Sequence, residues 1–229
     1  MYKKNIFLDG DLLKFLGMQE IRPVFRLLKD MKSLFEDPSM DEDDEVLYAM
    51  YRNVVLPQHK PLFDSMNLRH DITVLPVKFV CREYVKTFGH LHPGGFSEVY
   101  QVLEGKCHFL LQKDGDFVII SASEGDIVVF PGDYGHVATN PYGKPLVMAN
   151  IVSSTFSSDY SLYEKMKGAA YYDTTGGLFK NTNYASVTEP RITEPNGASL
   201  GPDIYDAFVQ NPERFAFLSN PSQNKFRVL

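Results

Sequence analysis

The chain has 229 residues, 44% of them hydrophobic and 23% charged, enough to bury a real core in one domain with an appended segment. A formal net charge of −6 speaks against a nucleic-acid surface, and no apolar run of about 18 residues is present to span a membrane. Two cysteines, Cys81 and Cys107, are too few for a disulfide scaffold; with no signal-peptide pattern they point to reduced thiols in a cytoplasmic protein.

From Ile21 to Phe35 the apolar residues Val24, Phe25, Leu27, Leu28, Met31, Leu34 and Phe35 predict one face of an amphipathic helix, with Arg26, Lys29, Asp30 and Lys32 opposite. The acidic stretch from Glu36 to Glu45, broken by Pro38, reads as a polar connection; it lacks the glycine and ligand alternation of a calcium loop. From Ile72 onward short β-branched and aromatic runs recur: Ile72–Phe79, Arg82–Phe88, Glu98–Leu103, Cys107–Gln112, Phe117–Ser121, Asp126–Phe130, Val137–Thr139 and Leu146–Val152. Lys113-Asp114-Gly115-Asp116 is a hairpin signal, and Glu124-Gly125-Asp126 marks another turn. Eight short strands with no helix between them predict a double-sheet barrel or jelly roll. Beyond about Gly168 the pattern loosens: Thr188 to Gly197 reads as extended, a short helix is expected near Pro202–Val209, and most of 185–229 reads as a tail draped on the barrel or on a partner. The expected organisation is an N-terminal helical segment at 1–45, a barrel at 46–168 and a partly irregular extension at 169–229.

Four of the six histidines lie between 90 and 136. On a strand, His90 and His92 project from the same face, which makes half a metal site. Glu98 adds a carboxylate at the start of the next strand, and His136 follows Phe130-Pro131-Gly132-Asp133 at a later strand start. Three imidazoles and a carboxylate suit one divalent ion, Fe²⁺, Mn²⁺, Zn²⁺, Ni²⁺ or Co²⁺. His108 reads as a wall or surface residue, His59 and His70 as solvated loop residues, and Lys86 as a surface residue turned away from the ligand face.

The frame around these ligands resembles the two-part cupin pattern: His-x-His, five residues, Glu98, six residues, Gly105; then Gly125, five residues, Pro131, and later His136, three residues, Asn140. Two departures stand out. The gap from His92 to Glu98 is longer than usual, and Gly132 follows Pro131 directly. Thr87-Phe88-Gly89-His90-Leu91-His92 with Glu98-Val99-Tyr100 further resembles the cupin-type glucose-6-phosphate isomerases, as do Leu28-Lys29-Asp30-Met31, Thr73-Val74-Leu75, Leu110-Leu111-Gln112 and Asp159-Tyr160. The likeness runs over about residues 20–165.

That resemblance implies a mostly β cupin barrel that interconverts glucose 6-phosphate and fructose 6-phosphate in glycolysis or gluconeogenesis. It implies metal ligands at His90, His92, Glu98 and His136, catalytic roles for Glu98, Tyr100 and Tyr160, substrate contacts at Tyr48, and a phosphate pocket at Thr73, Thr87 and Gly89. It also implies a homodimer. Val152 and Ser158 depart from the tyrosine and histidine that the resemblance would place there. Fold alone does not fix activity. A metal-dependent cupin oxygenase and a non-catalytic sugar-phosphate-binding cupin therefore stand as alternatives.

Overall fold

The computed structural model describes residues 1–40, 44–223 and 226, so the acidic positions 41–43 of the predicted connection lie outside the described residues. Strands β1 (Ile6–Asp9) and β2 (Leu12–Phe15) form a hairpin, followed by β3 (Val24–Leu27), α1 (Leu28–Met31), β4 (Val46–Tyr51), α2 (Lys60–Ser65) and β5 (Leu68–Leu75). Two short strands, β6 (Phe79–Val80) and β7 (Glu83–Tyr84), precede β8 (Glu98–Glu104), β9 (Lys106–Lys113), β10 (Asp116–Ser123), β11 (Ile127–Phe130), β12 (Gly135–Thr139) and β13 (Leu146–Ser153). The extension adds α3 (Ser161–Met166), β14 (Tyr171–Thr174), β15 (Gly177–Lys180), β16 (Arg191–Thr193) and α4 (Ile204–Gln210). No helix among the described residues is long and apolar enough to cross a membrane.

Two sheets face each other as a cupin barrel. One has the order β11-β8-β13-β5-β4-β3 and the other β12-β9-β10-β16. The predicted Asp-Gly turn closes the β9–β10 hairpin, with Lys113 paired to Asp116. Alternation along the strands sorts the side chains into layers. Tyr100, Val102, Phe109, Leu111, Val128 and Phe130 point between the sheets, while Val99, Ile127, Val129, Ala149 and Ile151 point outward from the larger one.

The outward layer is not solvated. Phe208, Phe215, Phe217 and Leu218 of the C-terminal extension, together with Ile6 and Leu13 of the first hairpin, cover it. The Gln101 side chain ties this cover down, donating to Pro202 O at 2.7 Å and accepting from the Ile204 N–H at 3.0 Å. Tyr163, Ala169, Ala170 and Tyr171 likewise pack on Leu110, Phe117, Ile119 and Val137 of the smaller sheet. The tail thus lies on its own barrel.

Four expectations are corrected. Residues 24–27 form an edge strand paired with β4 (Arg26 opposite Tyr48, Val24 opposite Met50), not the first turn of a helix. The sheet edge offers hydrogen-bond partners that outweigh local periodicity; only the stretch Leu28–Leu34 turns helical, burying Leu28, Met31 and Leu34. His70 is buried in β5, with Nδ1 2.7 Å from Val54 O and its ring edge-on to Tyr205 at 5.0 Å. His59 is only half-buried, its Nδ1 3.0 Å from the Tyr205 hydroxyl, so the tail has removed both histidines from the solvated loops expected for them.

Lys86 does turn from the ligand face, but into a layer covered by Leu34, Phe35 and Tyr172 rather than into water. It is 3% exposed, donates to Leu34 O at 2.7 Å and pairs with Glu83. Its ammonium lies 4.4 Å from the Phe35 ring centroid and 5.1 Å from that of Tyr172. Burial pushes the Lys86 amine down and the Glu83 carboxyl up, and the ion pair opposes both shifts. Removing one partner strands the other charge. Glu83→Gln or Lys86→Met should each cost roughly 3–5 kcal/mol in denaturant unfolding, and the double change Glu83→Leu with Lys86→Met should recover most of it. Single variants as stable as the parent would contradict this account.

Candidate metal centre and its cavity

The loop ahead of β8 forms isolated bridges that carry it into the barrel: His90 pairs with His136, and Leu91 with Asp159. The alternation expected of His-x-His therefore holds although the segment is not a continuous strand. His90, His92, Glu98 and His136 each offer a ligand atom, and these four atoms lie within 4.8 Å of one another. Glu98 opens β8 and His136 sits in β12, so both sheets and the intervening loop supply the set.

The donor atoms are arranged for a cation. His92 Nδ1 lies 2.7 Å from the Phe96 carbonyl, which can only accept, so Nδ1 carries the proton and Nε2 keeps its lone pair. His90 Nε2 and His92 Nε2 are 3.1 Å apart. Glu98 Oε2 is 3.4 Å from His92 Nε2 and 3.2 Å from His136 Nε2. Glu98 Oε2 and His136 Nε2 are nevertheless both buried without a well-aligned hydrogen-bond partner. The other carboxylate oxygen, Oε1, accepts from Asn150 Nδ2 at 2.6 Å. Lone pairs converging on one point, two of them on buried atoms without a hydrogen-bond partner, fit a divalent ion.

Electrostatics agree with the geometry. Burial holds the His90 imidazole well below its usual value, and the nearby His136 adds to the effect. Burial lowers His136 as well, against the pull of Glu98. Burial alone would raise the Glu98 carboxyl, but the adjoining imidazoles of His136 and His92 outweigh it and hold it well below the ordinary range. Neutral imidazoles and an ionised carboxylate are the forms that ligate.

The two departures from the cupin frame are one feature. A Cβ on Gly132 would fall 1.9 Å from Gly95 O and 2.6 Å from the Phe96 carbonyl carbon. The lengthened loop 93–97 therefore lies directly on the α-carbon of Gly132, and only glycine leaves it room. That contact sets the Phe96 carbonyl that orients His92.

His90, His92 and Glu98 open into a cleft between the sheets. Tyr48, Thr73, Thr87, Tyr100, Ser158 and Tyr160 all line it. Tyr48 is also structural, its hydroxyl accepting from the Phe88 N–H at 3.2 Å. The Thr87 hydroxyl oxygen accepts from the Ala138 N–H at 2.9 Å, which leaves its proton to donate. Burial and the Glu98 charge keep Tyr100 protonated, with its pKa well above the usual phenol value. Gly89 is confined by packing, since a Cβ there would meet the Tyr163 ring at 2.6 Å and Val137 at 2.7 Å. Val152 is buried and apolar. His108 stays outside the site, half-buried against Asp173 at 2.8 Å.

Sequence reasoning missed Asn150 and three arginines of the cavity wall, Arg26, Arg52 and Arg69. Two of these were within reach. Once Thr73 faces inward, period-2 alternation sends Asp71 and Arg69 the same way, and Arg52 follows from Tyr48 and Met50.

Asn150→Ala should weaken divalent-metal affinity about 10- to 100-fold by chelator competition, as expected for loss of an outer hydrogen bond to a ligand. Gly132→Ala should weaken it as well, through the displaced Phe96 carbonyl, while leaving the four ligands intact. Unchanged affinity in both variants would remove the supporting role argued for these residues.

A family model described as glucose-6-phosphate isomerase (GPI) matches residues 25–189. No curated protein sequence matches significantly. Among solved structures, an oxalate decarboxylase of Lactobacillus farciminis in its formate complex is 15% identical, covers 61% of this chain and 32% of that one, and gives a TM-score of 0.41. A vicilin from Solanum melongena is 10% identical over 60% of this chain and 30% of its own, with a TM-score of 0.40. A Cupin_2 domain of an XRE family transcriptional regulator from Enterobacter cloacae is 16% identical over 46% of this chain and 94% of its own, with a TM-score of 0.34. The chain spans about a quarter to a third of the length of the oxalate decarboxylases and the vicilin.

Proposed function

The chain belongs to the glucose-6-phosphate isomerase family, and from that premise we propose that it interconverts glucose 6-phosphate and fructose 6-phosphate. The observation that carries this reading is a His₃Glu cluster opening into a cavity lined by Thr73, Thr87 and Tyr100, inside the region the family model matches. His90, His92, Glu98 and His136 would hold the ion, with Fe²⁺ or Mn²⁺ the natural occupants of such a set. When bound, the ion supplies Lewis-acid stabilisation of negative charge at the C1 and C2 oxygens.

The chain's own residues do the rest. Isomerisation moves one hydrogen between C2 and C1 and one proton between O1 and O2. Glu98 Oε1 is held by Asn150, whereas Oε2 has no hydrogen-bond partner. The Glu98 carboxylate is the group to take the C2 proton of the aldose and return a proton to C1 through an enediol. The protonated Tyr100 hydroxyl is a donor for a sugar oxygen, and Tyr160, stacked edge-on to Phe88 at 4.8 Å, covers the opposite wall. The hydroxyls of Thr73 and Thr87 can donate to a phosphate. An oxygenase has no use for such a wall, which favours the isomerase reading.

Fructose 6-phosphate conversion should disappear on thorough metal removal and return when Fe²⁺ or Mn²⁺ is added back. His136→Ala should lower kcat by at least about 100-fold. In D₂O the proton-transfer route predicts deuterium at C1 of fructose 6-phosphate formed from glucose 6-phosphate. Product free of deuterium would indicate a direct hydride shift and remove Glu98 from proton transfer. Turnover unaffected by metal removal, or none in the fully loaded protein, would contradict the proposed activity.

A further inference from the structure

Arg52 and Arg69 are brought together by a carboxylate that plays no part in the metal set. Asp71, with a side chain only 1% exposed, accepts from Arg52 Nη1 at 2.7 Å and from Arg69 Nε at 2.9 Å through Oδ2. Its Oδ1 accepts from the Asn53 N–H at 2.9 Å, which fixes the carboxylate to the backbone. A buried carboxylate with both oxygens engaged is a rigid anchor, so the two guanidiniums are held in set positions rather than sweeping through solvent.

The pair is left with capacity to spare. Two guanidiniums share one carboxylate, which leaves a net positive charge, and each guanidinium has five N–H donors. Arg52 spends one amino group on Asp71 and the other on the weak acceptor Met50 Sδ at 3.2 Å. Arg69 bonds Asp71 through Nε, and its two terminal amino groups make no hydrogen bond among the described residues. Both side chains are partly exposed, 42% and 27%, and both line the cavity that holds His90, His92 and Glu98.

Strand register gives the direction from this pair to the ligands. Arg69 stands opposite Val152, and Val152 stands opposite Glu98; one step along, Asp71 stands opposite Asn150, and Asn150 opposite Tyr100. Arg69 on β5 is therefore two strands from the carboxylate ligand, roughly 10 Å at the usual interstrand spacing, and Arg52, just past the end of β4, is one strand further. That is the order of length of an open-chain six-carbon phosphate. The intervening Val152 is apolar and offers the anion nothing.

We propose that Arg52 and Arg69, held by Asp71, clamp the phosphate of the substrate, with Thr73 and Thr87 in a secondary role. The inference rests on the sugar-phosphate reading above and sharpens it: the phosphate is fixed mainly by paired guanidiniums, which match its geometry, rather than by neutral hydroxyls. Arg52 and Arg69 bind, and Asp71 is a positioning residue.

The test is calorimetric titration of the full-length Mn²⁺-loaded protein with glucitol 6-phosphate, which cannot be isomerised, beside unphosphorylated glucitol. Arg52→Gln and Arg69→Gln should each weaken glucitol 6-phosphate binding on the order of 10- to 100-fold. The double variant should bind it no better than glucitol. Arg69→Lys, which keeps the charge but loses the fork, should fall between Arg69→Gln and the parent. Mn²⁺ affinity should stay at the parent value, while melting temperature should fall because each change strips a partner from the buried Asp71; Arg69 is partly exposed and makes one bond, so its variants keep the test open if Arg52→Gln does not fold. Equal affinity of the parent and Arg69→Gln for glucitol 6-phosphate would overturn the clamp, as would a parent that does not prefer glucitol 6-phosphate to glucitol. Arginine-dependent binding without turnover of fructose 6-phosphate would sink the isomerase reading and leave the clamp standing. Turnover with an unchanged KM in the double variant would do the reverse.

Discussion

Three imidazoles and one carboxylate share a space under 5 Å across inside the barrel, and the rest of the structure is organised around holding them there. Taking an ionised carboxylate out of water is costly unless positive charge or hydrogen bonds replace the solvent. Glu98 receives one hydrogen bond, from Asn150, and otherwise depends on its imidazole neighbours. The backbone carbonyl that orients His92 belongs to a loop seated on a bare α-carbon at Gly132. One end of the barrel interior is thus built from groups that do little for stability by themselves.

The apolar burial that offsets this lies outside the barrel as well as within it. The inward-facing rows of Phe109, Phe130, Val102 and Val128 close the interior beneath the site, while the N-terminal hairpin and the C-terminal aromatics seal the outer face of the larger sheet. These layers make the strands rigid without entering the cavity. The ligands can then stay polar and preorganised while the fold draws its stability elsewhere.

Much of this was legible in the chain. The His-x-His pair, Glu98 and His136 sit in a spacing that only makes sense if strands bring them together, and alternating patterns marked β8 to β13 to within a few residues. The misreadings share a physical cause. Val24 to Leu27 has a helical apolar pattern, but pairing with β4 at a sheet edge decides its conformation. Lys86, His59 and His70 read as solvent-facing because nothing local shows that chain from 52 to 146 residues away covers them. Arg52 and Arg69 look like ordinary surface arginines until the register of β4 and β5 places them around Asp71. Charge alone does not identify such residues; the face on which they lie does.

The candidate metal ligands lie on the β8 and β12 side and the guanidiniums on the β4 and β5 side, with Asn150 and Tyr100 in the row between. The whole account depends on the first of these. Electron spin-echo spectroscopy of the Mn²⁺-loaded protein tests it most directly, because nitrogen modulation counts the imidazoles bound to the ion. The account predicts modulation from three histidine nitrogens, with one lost in each of the single His90, His92 and His136 to Ala variants. A spectrum without histidine nitrogen modulation, or one unchanged by those substitutions, would place the ion elsewhere and contradict the account at its root.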